Sequence, residues 1–161
     1  MNTLNISAKI SVCVYDELKD DEKKLIDEAK AATMNSYSPY SRFKVGAAVL
    51  LKDGLIVSGN NQENAAYPSG LCAERTTLFY ANARYPDLPV EAIAIAAFTN
   101  GKYIDDPITP CGACRQVILE TQNRYKHPIR IYLYGALKIY VIEKINDLLP
   151  LSFGEADLNP A

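Results

Sequence analysis

The run Ala92-Ile93-Ala94-Ile95-Ala96-Ala97-Phe98 decides the architecture. It is apolar without interruption, too short for a long buried helix, and reads as a strand covered on both faces. A loop rich in Gly, Asp and Pro, Asn100 to Pro110, follows it and delivers the chain to a helix over Cys111 to Arg124. Before it lies another helix, from near Cys72 to Tyr85, stopped by Pro86. Further out, Phe43–Leu51 and Leu55–Asn61 read as two strands turned at Lys52-Asp53-Gly54, with Ile129–Tyr134 and Ile139–Ile145 as two more. A first helix starts at Asp20-Asp21-Glu22, carries Leu25, Ile26, Ala29, Ala32 and Thr33, and ends before Ser38-Pro39. Strands interrupted by helices in this way predict a three-layer α/β sheet with crossover connections.

The 161 residues fit one unit, and at 48% hydrophobic they bury a core without a disulfide scaffold. A formal net charge of −2 and a pI near 5.4 argue against a general nucleic-acid binder, which needs a clustered basic face. No signal-like start and no apolar run near the roughly 20 residues of a membrane span are present, so the cytoplasm is the expected compartment. There, four cysteines (Cys13, Cys72, Cys111, Cys114) point to metal or catalysis before disulfides. Ile6, Ile10, Val12 and Val14 alternate loosely within residues 5–15, as an additional strand would, with Cys13 as a small core residue.

Cys111-Gly112-Ala113-Cys114 places two thiolates on one face of a first helical turn, and Cys72 adds a third from the other helix start. Helix N-termini stabilise thiolates. Three ligands leave one tetrahedral position of a Zn2+ for water, the pattern of a catalytic site. Glu74 stands two residues after Cys72, about 200° away on an ideal helix, a tension that eases where side chains converge over a helix end. A carboxylate beside a zinc-held water can move protons between that water and a substrate. Arg75 and Arg115 follow the ligands closely, and both are expected to donate hydrogen bonds to thiolates and withdraw charge. From Cys-x-x-Cys alone, a redox pair or a structural zinc half-site competes. A structural site wants a fourth ligand, and His127, the sole histidine, precedes Pro128 in an expected surface turn.

Taken together, Cys72-Ala73-Glu74-Arg75 and Pro110-Cys111-Gly112-Ala113-Cys114-Arg115-Gln116 resemble the signature of the small zinc-dependent cytidine deaminases, in its three-cysteine form. The resemblance runs from about Ser38 to Phe153. It implies a three-layer α/β/α sandwich on a mixed five-stranded sheet, here with a possible extra N-terminal strand. Residues 1–161 would then be one deaminase-like domain, with 1–20 as an extension and 21–158 as the core.

The resemblance also implies site roles. Within Ser38-Pro39-Tyr40-Ser41-Arg42-Phe43, it implies that Phe43 packs near a pyrimidine. Within Asn61-Gln62-Glu63-Asn64-Ala65-Ala66-Tyr67, it implies that Asn61 and Glu63 bind ribose; on a strand the two share a side, and their groups suit sugar hydroxyls. The backbone of Ala73 would bond the base and the Thr109 carbonyl would receive the leaving amino group. Phe153, in Leu148-Leu149-Pro150-Leu151-Ser152-Phe153, would help close a neighbouring subunit's site in a homotetramer. The activity implied is hydrolytic deamination of cytidine and 2′-deoxycytidine, with Glu74 as proton shuttle and one Zn2+ per subunit, in pyrimidine salvage. A nucleoside antibiotic of the blasticidin S kind is the rival substrate, cytosine in RNA or DNA a remoter one, and a structural zinc module the non-enzymatic alternative.

Overall fold

The computed structural model describes residues 1–158. Along the chain run β1 (Ser11–Cys13), α1 (Asp20–Ala32), β2 (Lys44–Leu51), β3 (Ile56–Asn60), α2 (Ala73–Arg84), β4 (Val90–Thr99), β5 (Lys102–Tyr103), α3 (Gly112–Tyr125), β6 (Arg130–Tyr134), β7 (Ile139–Ile142) and a short α4 (Glu155–Leu158). One mixed sheet has the order β1-β7-β6-β4-β2-β3, with β5 added to β4. Only β4 and β6 pair in parallel, and α3 makes the crossover between them. The expected five strands are β3, β2, β4, β6 and β7, and the N-terminal strand joins as an edge beside β7.

Alternation along β4 explains the layers. Ile93 and Ile95 pack with Leu78 and Ala81 of α2 and Ile118 and Leu119 of α3. Ala92, Ala94 and Ala96 point the other way, towards Leu25, Ile26 and Ala29 of α1. The bulky side fills the space under two helices, whereas the alanine side lets one helix lie close against the sheet. Gly46 in β2 makes the closest approach: a Cβ there would meet the Ala29 carbonyl oxygen at 2.1 Å and the Thr33 nitrogen at 2.7 Å.

Two expectations change. Residues 1–10 are exposed and unpaired, so the N-terminal strand shrinks from the alternating 5–15 stretch to Ser11–Cys13, which pairs with Ile139–Val141. Cys13 is half-buried against the α1-side core. The strand expected to carry Asn61 and Glu63 ends at Asn60. The chain stays extended there through isolated bridges from Gln62 to Tyr37 and to Leu71.

Sheet direction brings the loops of interest together. β3 and β4 both lie antiparallel to β2, so the C-terminal ends of β3 and β4 share one edge with the start of β2. Chains leaving β3 and β4 reach α2 and α3 from that edge, so both helices begin there. Because α1 rests on the bare Gly46 backbone, Gly46→Ala should destabilise the protein by about 3 kcal/mol. Urea denaturation of the variant against the parent measures this directly.

Candidate active site

Cys72 and Cys111 are the residues that cap α2 and α3, both in extended conformation, and Cys114 lies in the first turn of α3. The Cys72 and Cys111 sulfurs are 3.9 Å apart, those of Cys111 and Cys114 3.5 Å, and all three lie within 4.8 Å of one another. Tetrahedral zinc with Zn–S bonds of about 2.3 Å spaces its sulfurs roughly 3.8 Å apart. The trio therefore fits zinc in size and donor chemistry. Among the described residues the group holds three ligands; His127 lies elsewhere, 3.8 Å from Glu91.

The surroundings favour a thiolate at Cys72. The first N–H groups of α2 and α3 have no intrahelical acceptor, and both positive helix ends face the sulfurs. The hydrogen bond shared with Cys114 pulls the Cys72 thiol down to about 5, helped by Arg75 and opposed by burial. The same bond, with Cys114 as the donor, pushes Cys114 upward. Arg75 Nη2 donates to Cys72 Sγ at 3.8 Å, as expected from the sequence.

Arg115 does something different. It donates from Nε to the Pro110 carbonyl at 2.9 Å, from Nη1 to the Leu148 carbonyl at 2.8 Å and from Nη2 to Thr109 Oγ1 at 3.3 Å. One residue beyond Cys114, it is turned about 100° around the helix and away from the sulfurs. It ties the C-terminal stretch to the loop before α3 instead of withdrawing charge from a thiolate.

Glu74 is only 4% exposed, at the second position of α2. Burial, more than any other cause, raises its carboxyl above the ordinary glutamate value, as an acid–base group requires. Its angular conflict with Cys72 disappears because Cys72, as the cap, has not entered helical geometry.

A cavity of about 660 Å3 opens over this cluster. Cys72, Ala73, Glu74, Arg75, Thr109 and Cys111 line it together with Asn61 and Glu63. Cys114 is buried behind them. Asn61 and Glu63 are also busy with the Ser36–Val45 segment. Asn61 accepts from Val45 N–H at 2.8 Å and from the Ser36 hydroxyl, and donates to the Phe43 carbonyl at 2.9 Å. Glu63 accepts from Tyr40 N–H at 2.9 Å, Ser41 N–H at 3.3 Å and the Ser41 hydroxyl.

Two expected residues stand off this wall. Phe43 is half-buried, and a left-handed backbone at Arg42 (φ 57°) turns the chain so that Tyr40, Ser41 and Val45 line the cavity in its place. Phe153 is 60% exposed and absent from its own chain's cavity, its carbonyl accepting from Gln116 Nε2 at 2.9 Å. Sequence reasoning gave no role to Tyr40 and Tyr67, whose rings meet edge to face 6.4 Å apart on the wall. Both sit inside the motifs quoted above, and exposed aromatic side chains in such loops were the available signal.

The fold and the cysteine-and-glutamate cavity define a zinc-dependent hydrolytic deaminase. Residues 19–127 match the family described as the cytidine and deoxycytidylate deaminase zinc-binding region. The chain is 43% identical over 140 residues to the cytidine deaminase of Halalkalibacterium halodurans, covering 86% of this chain and 98% of that one. It is likewise 43% identical over 141 residues to that of Sporosarcina psychrophila, with 88% and 97% covered. Among solved structures, the cytidine deaminase of Burkholderia pseudomallei superposes with a TM-score of 0.69 at 44% identity, over 81% of this chain and 97% of that chain. The chain belongs to the cytidine and deoxycytidylate deaminase family.

The two arginines should separate in a zinc competition titration with a chromogenic chelator. Arg75→Gln should weaken zinc binding roughly tenfold or more, whereas Arg115→Gln should leave it within about twofold, because only Arg75 touches a ligand sulfur.

Proposed function

We propose that the enzyme hydrolyses the C4 amino group of cytidine and 2′-deoxycytidine, giving uridine and 2′-deoxyuridine with release of ammonia, as pyrimidine salvage requires. The observation that carries this reading is the buried Glu74 beside the cysteine sulfurs, in one cavity with Asn61 and Glu63. Zinc held by Cys72, Cys111 and Cys114 would supply a water acidified to a pKa near 7.

Glu74 performs the proton work. It takes up a proton as the nucleophile attacks C4, delivers it to N3, and later passes one to the departing amine. Burial raises its carboxyl above the ordinary glutamate value, which favours its holding that proton between transfers. Ala73 N–H, at the head of α2 where no intrahelical acceptor exists, is free to bond the base. The Thr109 carbonyl is assigned to the leaving amino group, with Arg115 steadying that loop through Thr109 Oγ1 and the Pro110 carbonyl. Asn61 and Glu63 face the sugar.

We assign the active form as a homotetramer in the cytoplasm, with Phe153 of each subunit, exposed on its own chain, closing a neighbour's cavity. Among the described residues no helix is long and apolar enough to cross a membrane. Glu74→Gln is the decisive variant. It should retain stoichiometric zinc and lose about 100-fold to 10,000-fold of turnover, measured as ammonia released from cytidine. Full activity with zinc bound would overturn the assignment.

A further inference from the structure

Glu63 depends on a neighbour to which the sequence assigns no role. The Ser41 side chain stands between Glu63 and Phe43: its oxygen accepts from Phe43 N–H at 3.0 Å and bonds Glu63 Oε1. An ionised carboxylate only accepts, so the Ser41 hydroxyl must be the donor in that contact. The Phe43 N–H takes a lone pair of the same hydroxyl and so fixes where its proton points. Ser41 also offers its own N–H to Oε2, alongside that of Tyr40. The carboxylate is therefore gripped on both oxygens by one short turn, whose left-handed residue Arg42 brings Ser41 back towards the cavity. The Ser41 hydroxyl is also the main reason Glu63 ionises more readily than an ordinary glutamate.

A donor and acceptor count shows what this leaves for a ligand. A carboxylate has about four acceptor directions, and three of those on Glu63 are taken by Tyr40 N–H, Ser41 N–H and the Ser41 hydroxyl. The Asn61 amide oxygen is filled by Val45 N–H and the Ser36 hydroxyl, and one of its two N–H groups goes to Phe43. One acceptor direction on Glu63 Oε1 and one donor on Asn61 Nδ2 remain, which together match a single hydroxyl group.

We propose that Ser41 is the positioning residue of the sugar subsite: by fixing the Glu63 carboxylate, its hydroxyl aims the one free acceptor direction at a 2′- or 3′-hydroxyl of the nucleoside. This rests on the cytidine reading above. Ser41 acts through Glu63 and makes no hydrogen bond to the cysteine sulfurs, so it governs binding of the sugar and leaves the chemical step alone.

The test uses the full zinc-loaded chain as parent, Ser41→Ala and Ser41→Thr, with cytidine and 2′,3′-dideoxycytidine as substrates and calorimetric binding of uridine as a measure independent of turnover. For Ser41→Ala, KM for cytidine and Kd for uridine should rise about tenfold, with kcat within about twofold. Ser41→Thr, which keeps the hydroxyl, should restore both. With the dideoxynucleoside, which lacks the hydroxyl being read, parent and Ser41→Ala should have equal KM. An unchanged KM and Kd in Ser41→Ala, or an equal loss on both substrates, would overturn the role of Ser41 while leaving the cytidine reading intact. No turnover of cytidine by the parent would overturn that reading instead.

Discussion

Two helices that begin on the same edge of one sheet hold the site together. Both α2 and α3 run back from the C-terminal ends of parallel-running strands, and each starts on a cysteine. Free N–H groups at a helix start form a positive end, and two such ends facing one small volume make it a place for clustered negative charge. Three sulfurs within 4.8 Å of one another would repel as thiolates in open solvent; here the helix ends and Arg75 offset that repulsion. The same capping geometry releases Cys72 from the helical spiral and lets Glu74 share its site. Moving one helix by a residue relative to the other would separate Cys72 and Glu74 from Cys111 and Cys114.

The rest of the fold fixes where those two helices begin. Isoleucines on one side of β4 seat α2 and α3, and alanines on the other admit α1. Because α1 presses on the backbone at Gly46, the start of β2 and the segment leading into it have little freedom. That segment forms the cavity's far wall, and Asn61 and Glu63 stitch it down with hydrogen bonds to its backbone and hydroxyls. These two side chains thus build the wall as well as face the cavity. The arrangement accounts for polar residues at a strand end whose donors and acceptors are mostly satisfied before any ligand arrives.

Much of this was legible in the chain because it depends on local order. The run 92–98 implies a doubly covered strand, Cys-x-x-Cys at a helix start implies two converging sulfurs, and the boundaries of α2 and α3 follow from their flanking residues to within a position or two, whereas α1 ends at Ala32, several residues before Ser38-Pro39. The N-terminal strand was overextended, because exposed alternation in residues 5–10 has no partner strand to reward it. Arg115 misled for a related reason. Adjacency to Cys114 in sequence says nothing of the turn around the helix, or of the Leu148 carbonyl that arrives from 33 residues away to receive its N–H.

By itself, then, the sequence determined the layer order, the three sulfur donors, the glutamate among them and hence the class of chemistry, because spacing along strands and helix starts encodes each. Tertiary structure alone decided which arginine meets a sulfur and which ties down a loop. It also decided that Phe153 stands away from its own chain's cavity and that Ser41 grips Glu63. Those outcomes depend on groups brought together from distant segments by sheet order and by a single left-handed residue, and no local pattern carries that information.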